Sequence, residues 1–391
     1  MVTLYDVARH AGVSIATVSR VLHGHGSVRE DTGARVRSAI DALGYVPDGA
    51  AQSLARNRKD VIGLVAVEHF GLKPDQYDIE SMSLLFYEEV MRGVEALLRE
   101  SDISLLVTYL REHDPIDGPA GNDPVLPRLL KLSGKVDGLL IGEGILPAPA
   151  LAQLAKRLPV VVVAGDAGLR GADVVAADNW SGAHALVSHL VDDHGKRRLF
   201  HIDGPATALD ASARRLAMRS VIEANPDAVL TGSYYGRFSV RSGEDAAARM
   251  LADFGGVTGN DSALPDAIVC ANDQMAIGVL RTLSTRSIKV PDDVAVVGFD
   301  DIFPATLCDP PLTTVRQPIR GIGERACERL LERIADPGLV PEVALLPTEL
   351  VIRSSCGCPS GTVTRRPATP IAQPVPVGLA KHPANDLTPE R

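Results

Sequence analysis

The sequence predicts an α/β protein with a small helix–turn–helix head at its N-terminus and a two-lobed body of doubly wound parallel sheets. Two observations predict this arrangement. Apolar residues recur at helical spacing through residues 1–46. From Val61 onward, short apolar runs alternate with helical patterns, which is typical of parallel strands that helices cover on both faces. The chain has 391 residues and an apolar content of 45%, enough for two or three domains.

Each of the first two helices is predicted from a single apolar face. Thr3 with Asp6 forms an N-cap signature for the first helix, Gly12 permits a sharp turn, and Ser14 with Thr17 opens the second. The apolar positions are Leu4, Val7, Ala8 and Ala11 in the first helix and Val13, Val18, Val21 and Leu22 in the second. Two such faces pack together as a helix–turn–helix.

The second helix leaves small and polar side chains exposed near its start. The set that can enter a major groove is Ser14, Ile15, Ala16, Thr17, Ser19 and Arg20. The planar guanidinium of Arg20 matches O6 and N7 of a guanine, and Ile15 and Ala16 offer apolar contact to thymine methyl groups. Helix–turn–helix spacing also arises by chance in an α-hairpin of another kind of domain, which is the alternative interpretation.

A third amphipathic helix is predicted from Asp31 to Gly44, and it gives the head a minimal three-helix core. Residues 48–58 then form a marginal helix that is too short to be stable in isolation. We expect this segment to fold only against a partner. The continuation therefore favours a DNA-binding head over an α-hairpin.

This run of segments resembles the head of the lactose-repressor and galactose-repressor family of bacterial transcription regulators. The matching motifs are Asp6-Val-Ala, Ala11-Gly-Val-Ser, Thr17-Val-Ser-Arg-Val-Leu22, Leu43-Gly-Tyr, Pro47 and Ala51-x-x-Leu54. The resemblance implies that Leu54 is a wedge inserted into the minor groove, where it bends the duplex. Ordinary core packing is the alternative for Leu54. Further DNA contacts are expected at Tyr5, His23 and Ala51, and His23 replaces an asparagine usual in the family.

Charge is distributed unevenly along the chain. The formal net charge is −9, yet residues 1–59 carry eight Lys or Arg and five Asp or Glu, which leaves −12 for the rest. A body of that charge repels phosphate, so we expect nucleic acid to touch only the head and the hinge. Since the sequence begins with the head and has no run of about 18 apolar residues, we expect neither a leader nor a membrane-spanning helix. A cytoplasmic protein without a membrane partner is therefore expected.

The cysteines indicate reduced thiols rather than a metal site. They are Cys270, Cys308, Cys327, Cys356 and Cys358. Their spacing lacks the paired pattern of metal ligands, and Cys356-Gly-Cys358 without histidine partners is poor support for zinc. We expect neither a metal nor a cofactor.

The body divides into two similar series of strands and helices, which implies a cleft between two lobes. The first series has predicted strands at 61–67, 104–108, 138–141, 160–164 and 174–176, with helices at 88–100 and 150–157. The second has strands near 199–202, 267–270 and 294–298, with helices near 182–191, 213–223, 244–251 and 273–283. In open parallel sheets, ligands bind beyond the carboxyl ends of the strands.

Polar residues that follow these runs are the candidates for the cleft. Asn272 follows one strand, Asp300 follows another, and Arg215 lies near the start of a helix. A carboxamide, a carboxylate and a guanidinium that converge on one cleft can pair with the vicinal hydroxyls of a sugar. Phe238 offers an apolar platform for a sugar ring or a base.

The resemblance extends over the body through Ala271-Asn-Asp-Gln-Met-Ala276, Val297-Gly-Phe-Asp-Asp301, Pro310-Pro-Leu-Thr-Thr-Val315 and Leu350-Val-Ile-Arg353. It implies a periplasmic-binding-protein-like body with effector contacts at Arg215, Phe238, Asn272 and Asp300. It also implies three crossings between the lobes, near Val175, residues 315–317 and Pro347. Met218 stands where the family has glycine, Ala164 replaces a common acidic residue, and residues 69–83 form an apparent insertion. These departures leave the identity of the effector open.

An enzyme is one alternative, because paired acids such as Asp300 and Asp301 sometimes act in acid–base catalysis. Adjacent residues at a strand end point to opposite sides, so Asp301 is assigned a structural role. Asp273 is interpreted as a helix N-cap. The sequence lacks a P-loop, a nucleophile elbow and a dinucleotide fingerprint. A secreted sugar-binding protein shares the two-lobed body, but the head argues against it.

The expected protein is a dimeric repressor whose operator binding is controlled by a small-molecule effector, a sugar or sugar derivative, with a purine as the alternative. The sequence has no leucine heptad repeat of the kind that joins dimers into tetramers, so a dimer is expected. A twofold dimer implies a pseudo-palindromic operator. The expected domains are the head at 1–46, the hinge at 47–60, the body at 61–358 and a disordered proline-rich tail at 359–391.

Overall fold

The computed structural model describes residues 2–23, 28–45, 58–68, 84–111, 125–142, 144–165, 171–206, 208–254, 264–359, 361 and 363–371. Three expectations lie outside these residues. They concern the hinge positions Ala51 and Leu54, the apparent insertion at 69–83 and the tail from residue 372 onward.

The head consists of three helices, α1 (Leu4–Ala11), α2 (Ile15–His23) and α3 (Glu30–Leu43). Its core is formed around Val7, Val18 and Val36, which are fully buried. The predicted caps are confirmed. Thr3 and Asp6 form a capping box at the start of α1, and Gly12 takes a φ of 65° at its end. The guanidinium of Arg35 on α3 donates to the carbonyl of Ala11, which fixes the turn against the third helix.

The first lobe is a six-stranded parallel sheet with the strand order β11-β5-β4-β3-β1-β2. Its strands are β1 (Val61–Glu68), β2 (Ser104–Arg111), β3 (Gly138–Gly142), β4 (Val160–Val163), β5 (Asp173–Ala177) and β11 (Val343–Leu346). Its helices are α4 (Leu84–Leu98), α5 (Val125–Leu132), α6 (Ala148–Ala155) and α11 (Ile319–Ala335). Helices α4 and α11 cover one face, and α5 and α6 cover the other. Because both faces are covered, β4 is four consecutive buried valines.

The second lobe is a four-stranded parallel sheet with the order β7-β6-β8-β9. Its strands are β6 (Arg198–Asp203), β7 (Val229–Tyr235), β8 (Ala267–Cys270) and β9 (Ala295–Val297). Its helices are α7 (Asn179–Ser188), α8 (Leu209–Ala224), α9 (Val240–Asp253) and α10 (Asp273–Thr285). Helix α7 continues into a π-helix at His189–Asp193. Helices α7 and α8 cover one face of the sheet, and α9 and α10 cover the other.

A third, antiparallel sheet stands beside the second lobe in the order β10-β12-β13. Its strands are β10 (Thr314–Arg316), β12 (Glu349–Ile352) and β13 (Thr364–Pro367). The expectation of disorder from residue 359 is therefore wrong for β13. Proline content predicted disorder there, but the backbone of residues 364–367 is ordered by antiparallel pairing with β12.

The chain passes between the lobes at three places, as the resemblance implied. It leaves the first lobe after β5, returns after β10, and leaves again after β11. The crossings are bonded to one another. The amide of Asp178 donates to the carbonyl of Leu346 at 2.8 Å, and the hydroxyl of Thr348 donates to the carbonyl of Asp178 at 3.3 Å. The second crossing joins them through the pairing of β10 with β12, in which Arg316 lies opposite Glu349, so the three segments form one connected region between the lobes.

In each lobe, two helices meet at glycines that bring their backbones together. A Cβ added at Gly323 on α11 would lie 2.1 Å from the carbonyl oxygen of Val90, and one at Gly93 on α4 would lie 2.1 Å from that of Arg320. Only glycine fits such an approach. Among the described residues, no helix is long and apolar enough to span a membrane.

Candidate functional site

The exposed face of α2 carries the predicted DNA contacts. Ile15 has 46% of its surface exposed, and Tyr5 on α1 has 63%. Ala16 and Arg20 are also exposed, while Ser19 is partly buried. Residues at these spacings share one side of a helix. Apolar and cationic side chains are thus presented together, which is the combination that reads base edges.

Two of the predicted DNA contacts also cap the helix that presents them. The hydroxyl of Ser14 accepts from the amide of Thr17 at 3.2 Å, and the two hydroxyl oxygens lie 2.9 Å apart. Ser14 and Thr17 are thereby committed to the start of α2. His23 ends the same helix, and its side chain lies outside the described residues.

The candidate effector cleft is centred on Asp300, which follows β9. Its backbone has a φ of 121°, a conformation that favours glycine. Its carboxylate accepts from the side-chain amide of Gln317 at 2.5 Å and lies 3.7 Å from the guanidinium of Arg214. Since Gln317 directly follows β10, Asp300 links the cleft to the second lobe crossing.

Asp301 has a different set of partners from its neighbour. Its carboxylate accepts from Arg353 at 2.5 Å and from the Nε of Arg316 at 2.7 Å. Arg316 belongs to β10 and Arg353 follows β12, so Asp301 fastens the loop after β9 to two strands. The predicted structural role of Asp301 fits these contacts, and the two neighbouring carboxylates bind different partners.

Burial controls the charge of the cleft carboxyls. Burial raises the pKa of Asp300 to about 6, although Arg214 and the hydrogen bond from Gln317 act in the opposite direction. The pKa of Asp273 is raised well above its usual range by burial and by the nearby charge of Asp300. A ligand that donates hydrogen bonds to Asp300 favours its ionised form.

The structure brings Arg214, rather than Arg215, to Asp300. Arg214 is buried, with its guanidinium 3.9 Å from the ring centre of Phe299. It donates to Asn179 at 2.9 Å, to the carbonyl of Ala271 at 2.5 Å and to Asp210 at 3.1 Å. The guanidinium of Arg215 instead pairs with Asp203 and donates to Ser212 at 3.0 Å. The predicted arginine thus lies at the end of β6.

Asn272 and Phe238 lie together, but Asn272 already has partners. The Oδ1 of Asn272 accepts from the amide of Met275 at 3.0 Å, and its Nδ2 donates to the carbonyl of Phe238 at 3.2 Å. Asn272 is therefore the N-cap of α10. The ring of Phe238 lies over Gly204, where an added Cβ would fall 2.5 Å from a ring carbon.

The interpretation of Asp273 as the N-cap is wrong. Its carboxylate is fully buried and accepts from the hydroxyl of Thr314 at 2.5 Å and from the amide of Ile302 at 3.0 Å. The residue one position earlier has the extended backbone that a cap requires. Asp273 instead joins α10 to β10 and to the loop after β9.

Met218 affects packing rather than the polar surface of the cleft. Its side chain is buried in the cluster formed by α7, α8 and the sheet of the second lobe. Ala164 follows β4 with a φ of 62°. Methionine at position 218 therefore leaves the polar cleft residues unchanged.

A second cluster contradicts the expectation that Cys356 and Cys358 lack histidine partners. The side chains of His189 and His194 lie against both cysteines. These residues are far apart in sequence, and only the packing of the third sheet against α7 brings them together.

Known protein families and relatives match both the head and the body of this chain. A family described as "Bacterial regulatory proteins, lacI family" matches residues 3–48, and one described as "Periplasmic binding protein-like domain" matches residues 187–356. The ribose operon repressor of Escherichia coli K12 is 31% identical over 363 residues, which cover 91% of this chain and 100% of that protein. The transcriptional repressor PurR of Vibrio parahaemolyticus is 31% identical over 367 residues, with 91% and 98% covered.

Solved structures show the same similarity. The Lac repressor dimer bound to operator and the anti-inducer ONPF superposes with a TM-score of 0.75 at 25% identity, over 91% of this chain and 99% of that one. A complex of the regulator CelR with cellobiose has a TM-score of 0.62 at 29% identity, over 91% and 100% of the two chains.

Proposed function

Because the chain belongs to the LacI family of bacterial regulatory proteins, we propose that it represses transcription as a dimer whose operator binding is controlled by a sugar or sugar derivative. The chain is a DNA-binding transcriptional regulator with a head and a two-lobed, effector-binding body. One observation carries the proposal for the effector. The carboxylate of Asp300 is shared between the cleft and Gln317 at the second lobe crossing.

The cleft chemistry suits a ligand with neighbouring hydroxyl groups. The carboxylate of Asp300 accepts two hydrogen bonds from vicinal hydroxyls, and the guanidinium of Arg214 donates to their oxygens. Arg215 and Asn272 remain candidate contacts at the ends of β6 and β8, with the Phe238 ring as an apolar wall. When hydroxyls take over the oxygen that accepts from Gln317, the second crossing loses a contact, and one lobe rotates on the other.

The head delivers this signal to DNA. We assign direct base contacts to Ile15, Ala16 and Arg20, with Tyr5, Ser14, Thr17, Ser19 and His23 beside them. We further propose that Leu54 wedges into the minor groove, with Ala51 on the same hinge segment. A twofold dimer then reads a pseudo-palindromic operator, one half-site for each recognition helix. Control of a regulator of this kind amounts to about 1–3 kcal/mol of coupling.

A purine is the second candidate effector. The Phe238 ring supplies a flat apolar surface at the end of β6, and a relative of this chain is named PurR. A base stacks on such a ring with its edge toward Asn272. A base differs from a sugar in needing no vicinal hydroxyls, so the two classes respond differently to changes at Asp300.

A thermal-shift screen of monosaccharides, sugar phosphates and nucleobases tests the proposal. A ligand present at 100 times its Kd stabilises the folded protein by about 2.7 kcal/mol. We expect a sugar-class ligand to raise the melting temperature and to change operator affinity, and we expect Asp300→Asn to abolish both effects. Stabilisation by nucleobases alone would replace the sugar by a purine. A sugar that binds Asp300→Asn as tightly as the wild type would contradict the site.

A further inference from the structure

The side chains of two histidines and two cysteines lie together in the structure. The histidines follow the end of α7, and the cysteines follow the end of β12. His189 follows the last residue of α7, at the opposite end of that helix from Asn179, which contacts Arg214 in the cleft. Cys356 and Cys358 follow β12 by a few residues. His189 and Cys356 are buried, and His194 and Cys358 are partly buried. The cluster is thus a separate site from the effector cleft.

The distances between the four side chains are those of metal ligands. The Nε2 atoms of His189 and His194 lie 3.2 Å apart. The Sγ of Cys358 is 3.3 Å from Nε2 of His194 and 3.7 Å from that of His189, and the Sγ of Cys356 is 3.5 Å from Nε2 of His189. All four ligand atoms lie within 4.8 Å of one another.

These separations match a tetrahedral zinc ion. Zinc binds thiolate sulfur at about 2.3 Å and imidazole nitrogen at about 2.0–2.1 Å. At tetrahedral angles, those bonds place two nitrogens about 3.3 Å apart and a nitrogen and a sulfur about 3.6 Å apart. The four contacts in the structure fall around both values. A tetrahedral set of two sulfurs and two nitrogens is typical of zinc among the common metals.

The local backbone is shaped to assemble this set. Residues five apart lie on different sides of an α-helix, which has 3.6 residues per turn. The π-helix at His189–Asp193 widens the turn and brings His194 back over His189, with ring centres 4.7 Å apart. Between the cysteines, Gly357 takes a φ of 107°, which turns the chain so that both sulfurs face the rings.

A second layer of contacts orients the ligands. The Nδ1 of His189 lies 2.7 Å from the carboxylate of Asp193, which leaves Nε2 with its lone pair toward the cluster. Arg366 on β13 donates to the same carboxylate at 3.2 Å. The hydroxyl of Thr313 lies 3.2 Å from Sγ of Cys356. Histidine ligands of metals almost always donate their other ring N–H to a carboxylate, a backbone carbonyl or water.

We propose that His189, His194, Cys356 and Cys358 form a structural zinc site that fastens the segment after β12 to the end of α7. Four protein ligands close the coordination sphere, so the ion holds structure and has no open position for substrate. Binding deprotonates the two thiols and releases their protons to solvent. Through Asp193 and Arg366, the site also supports the docking of β13.

Metal analysis of the full-length protein, purified without chelator or polyhistidine tag, tests the proposal. We expect one zinc ion per chain by inductively coupled plasma mass spectrometry. Cys358→Ser and His194→Asn should each lose it. Cys308→Ser removes a thiol outside the cluster, and His184→Asn removes a histidine from α7 one turn before the cluster; both should retain one zinc.

Cobalt substitution tests the site on the wild-type chain, so the result does not depend on how a variant folds. We expect Co²⁺ to give the intense visible absorption of a tetrahedral thiolate complex, and removal of the metal to lower the melting temperature reversibly. Asp193→Asn should keep the spectrum and weaken metal affinity by about 10–100-fold.

Two outcomes would overturn the zinc site. One is wild-type protein with reduced cysteines that carries no zinc and takes up neither Zn²⁺ nor Co²⁺. The other is a Cys356–Cys358 disulfide in protein purified under reducing, anaerobic conditions. Neither outcome bears on the effector proposal, since the cleft residues are different ones.

Discussion

Asp300→Asn replaces the cleft carboxyl with an amide that has the same shape and is neutral at every pH. The asparagine Oδ1 still accepts from Gln317, and asparagine tolerates a positive φ better than most residues. Since burial raises the pKa of Asp300 to about 6, the folded wild-type protein holds this proton more tightly than the unfolded chain does. That contribution to stability is present below pH 3.8 and is lost as the pH rises through 6.

The size of the effect follows from the two pKa values. At about 1.4 kcal/mol per pH unit, the difference between 3.8 and about 6 amounts to about 3 kcal/mol when Asp300 is fully ionised. At pH 5 about half of this cost is present. We therefore expect the stability of Asp300→Asn relative to wild type to grow by about 1.5 kcal/mol between pH 5 and pH 7.5.

Urea unfolding followed by tryptophan fluorescence measures this change in the second lobe, which contains Asp300. Trp180 is the only tryptophan of the chain, and it is buried in the core of the second lobe beside α8. The signal therefore reports chiefly on the second lobe. Asp292→Asn, at an exposed position before β9, makes the same substitution outside the cleft and serves as the matched control.

The reasoning fails if the stability difference between wild type and Asp300→Asn is constant from pH 5 to pH 7.5. Such a result would mean that ionised Asp300 carries no desolvation cost in the folded protein. An Asp300→Asn protein that is more stable than wild type but still responds to effector would also contradict the reasoning. A residue that is kept although it lowers stability is expected to be required for function.

Three further changes test the other parts of the structure. Asp301→Asn should lower stability in urea unfolding by about 3–5 kcal/mol, because it removes the buried carboxylate shared by Arg316 and Arg353, and a milder loss would mean that they rearrange. Arg20→Ala should cost about 1–3 kcal/mol of operator affinity in competition gels but spare random DNA; equal losses on both would refute base reading. Gly323→Ala should destabilise by about 1–3 kcal/mol or more, since its Cβ meets the carbonyl of Val90. At Gly321 on the same helix, an added Cβ would meet only ordinary contacts at 3.8 Å, so a similar loss in Gly321→Ala would point to a general effect.

Periodicity predicted the parts of the fold that are locally determined. The three head helices, their caps at Thr3 and Gly12, and the fully buried strands of the first lobe all follow from short-range pattern. Strand β7 was missed because its residues are mostly exposed or half-buried and carry no continuous apolar run. Helix α11 was missed although it packs against α4 through an apolar face.

The choice between neighbouring arginines shows what sequence leaves open. Arg214 and Arg215 are consecutive on α8 and point about 100° apart, so the sequence alone does not indicate which of them faces Asp300. Packing decides the matter, because Asn179 and Asp210 hold the guanidinium of Arg214 toward Asp300. The pairing of Asp210 with Arg214, four residues apart on one helix, was the available signal.

The cysteine cluster was missed for a different reason. Metal motifs are recognised by ligands close together in sequence, whereas His189 and Cys356 are 167 positions apart. Their meeting depends on a helix and an edge sheet that are built from distant segments. Even so, Cys356-Gly-Cys358 together with two histidines five residues apart formed a complete set of four ligands.

The neighbouring acids Asp300 and Asp301 make different contacts to the segments near the lobe crossings. Asp301 is bonded to Arg316 on β10 and to Arg353 just after β12, so this point cannot move without breaking ion pairs of a buried carboxylate. Asp300 is bonded to Gln317, a neutral partner that a ligand hydroxyl can replace at little cost. We propose that this fixed contact next to an exchangeable one converts ligand binding into rotation of one lobe. If this is how the signal leaves the cleft, Gln317→Ala should leave ligand affinity within a few-fold of wild type and reduce the effect of ligand on operator affinity, measured by fluorescence anisotropy. Full coupling in that variant would move the hinge contact elsewhere.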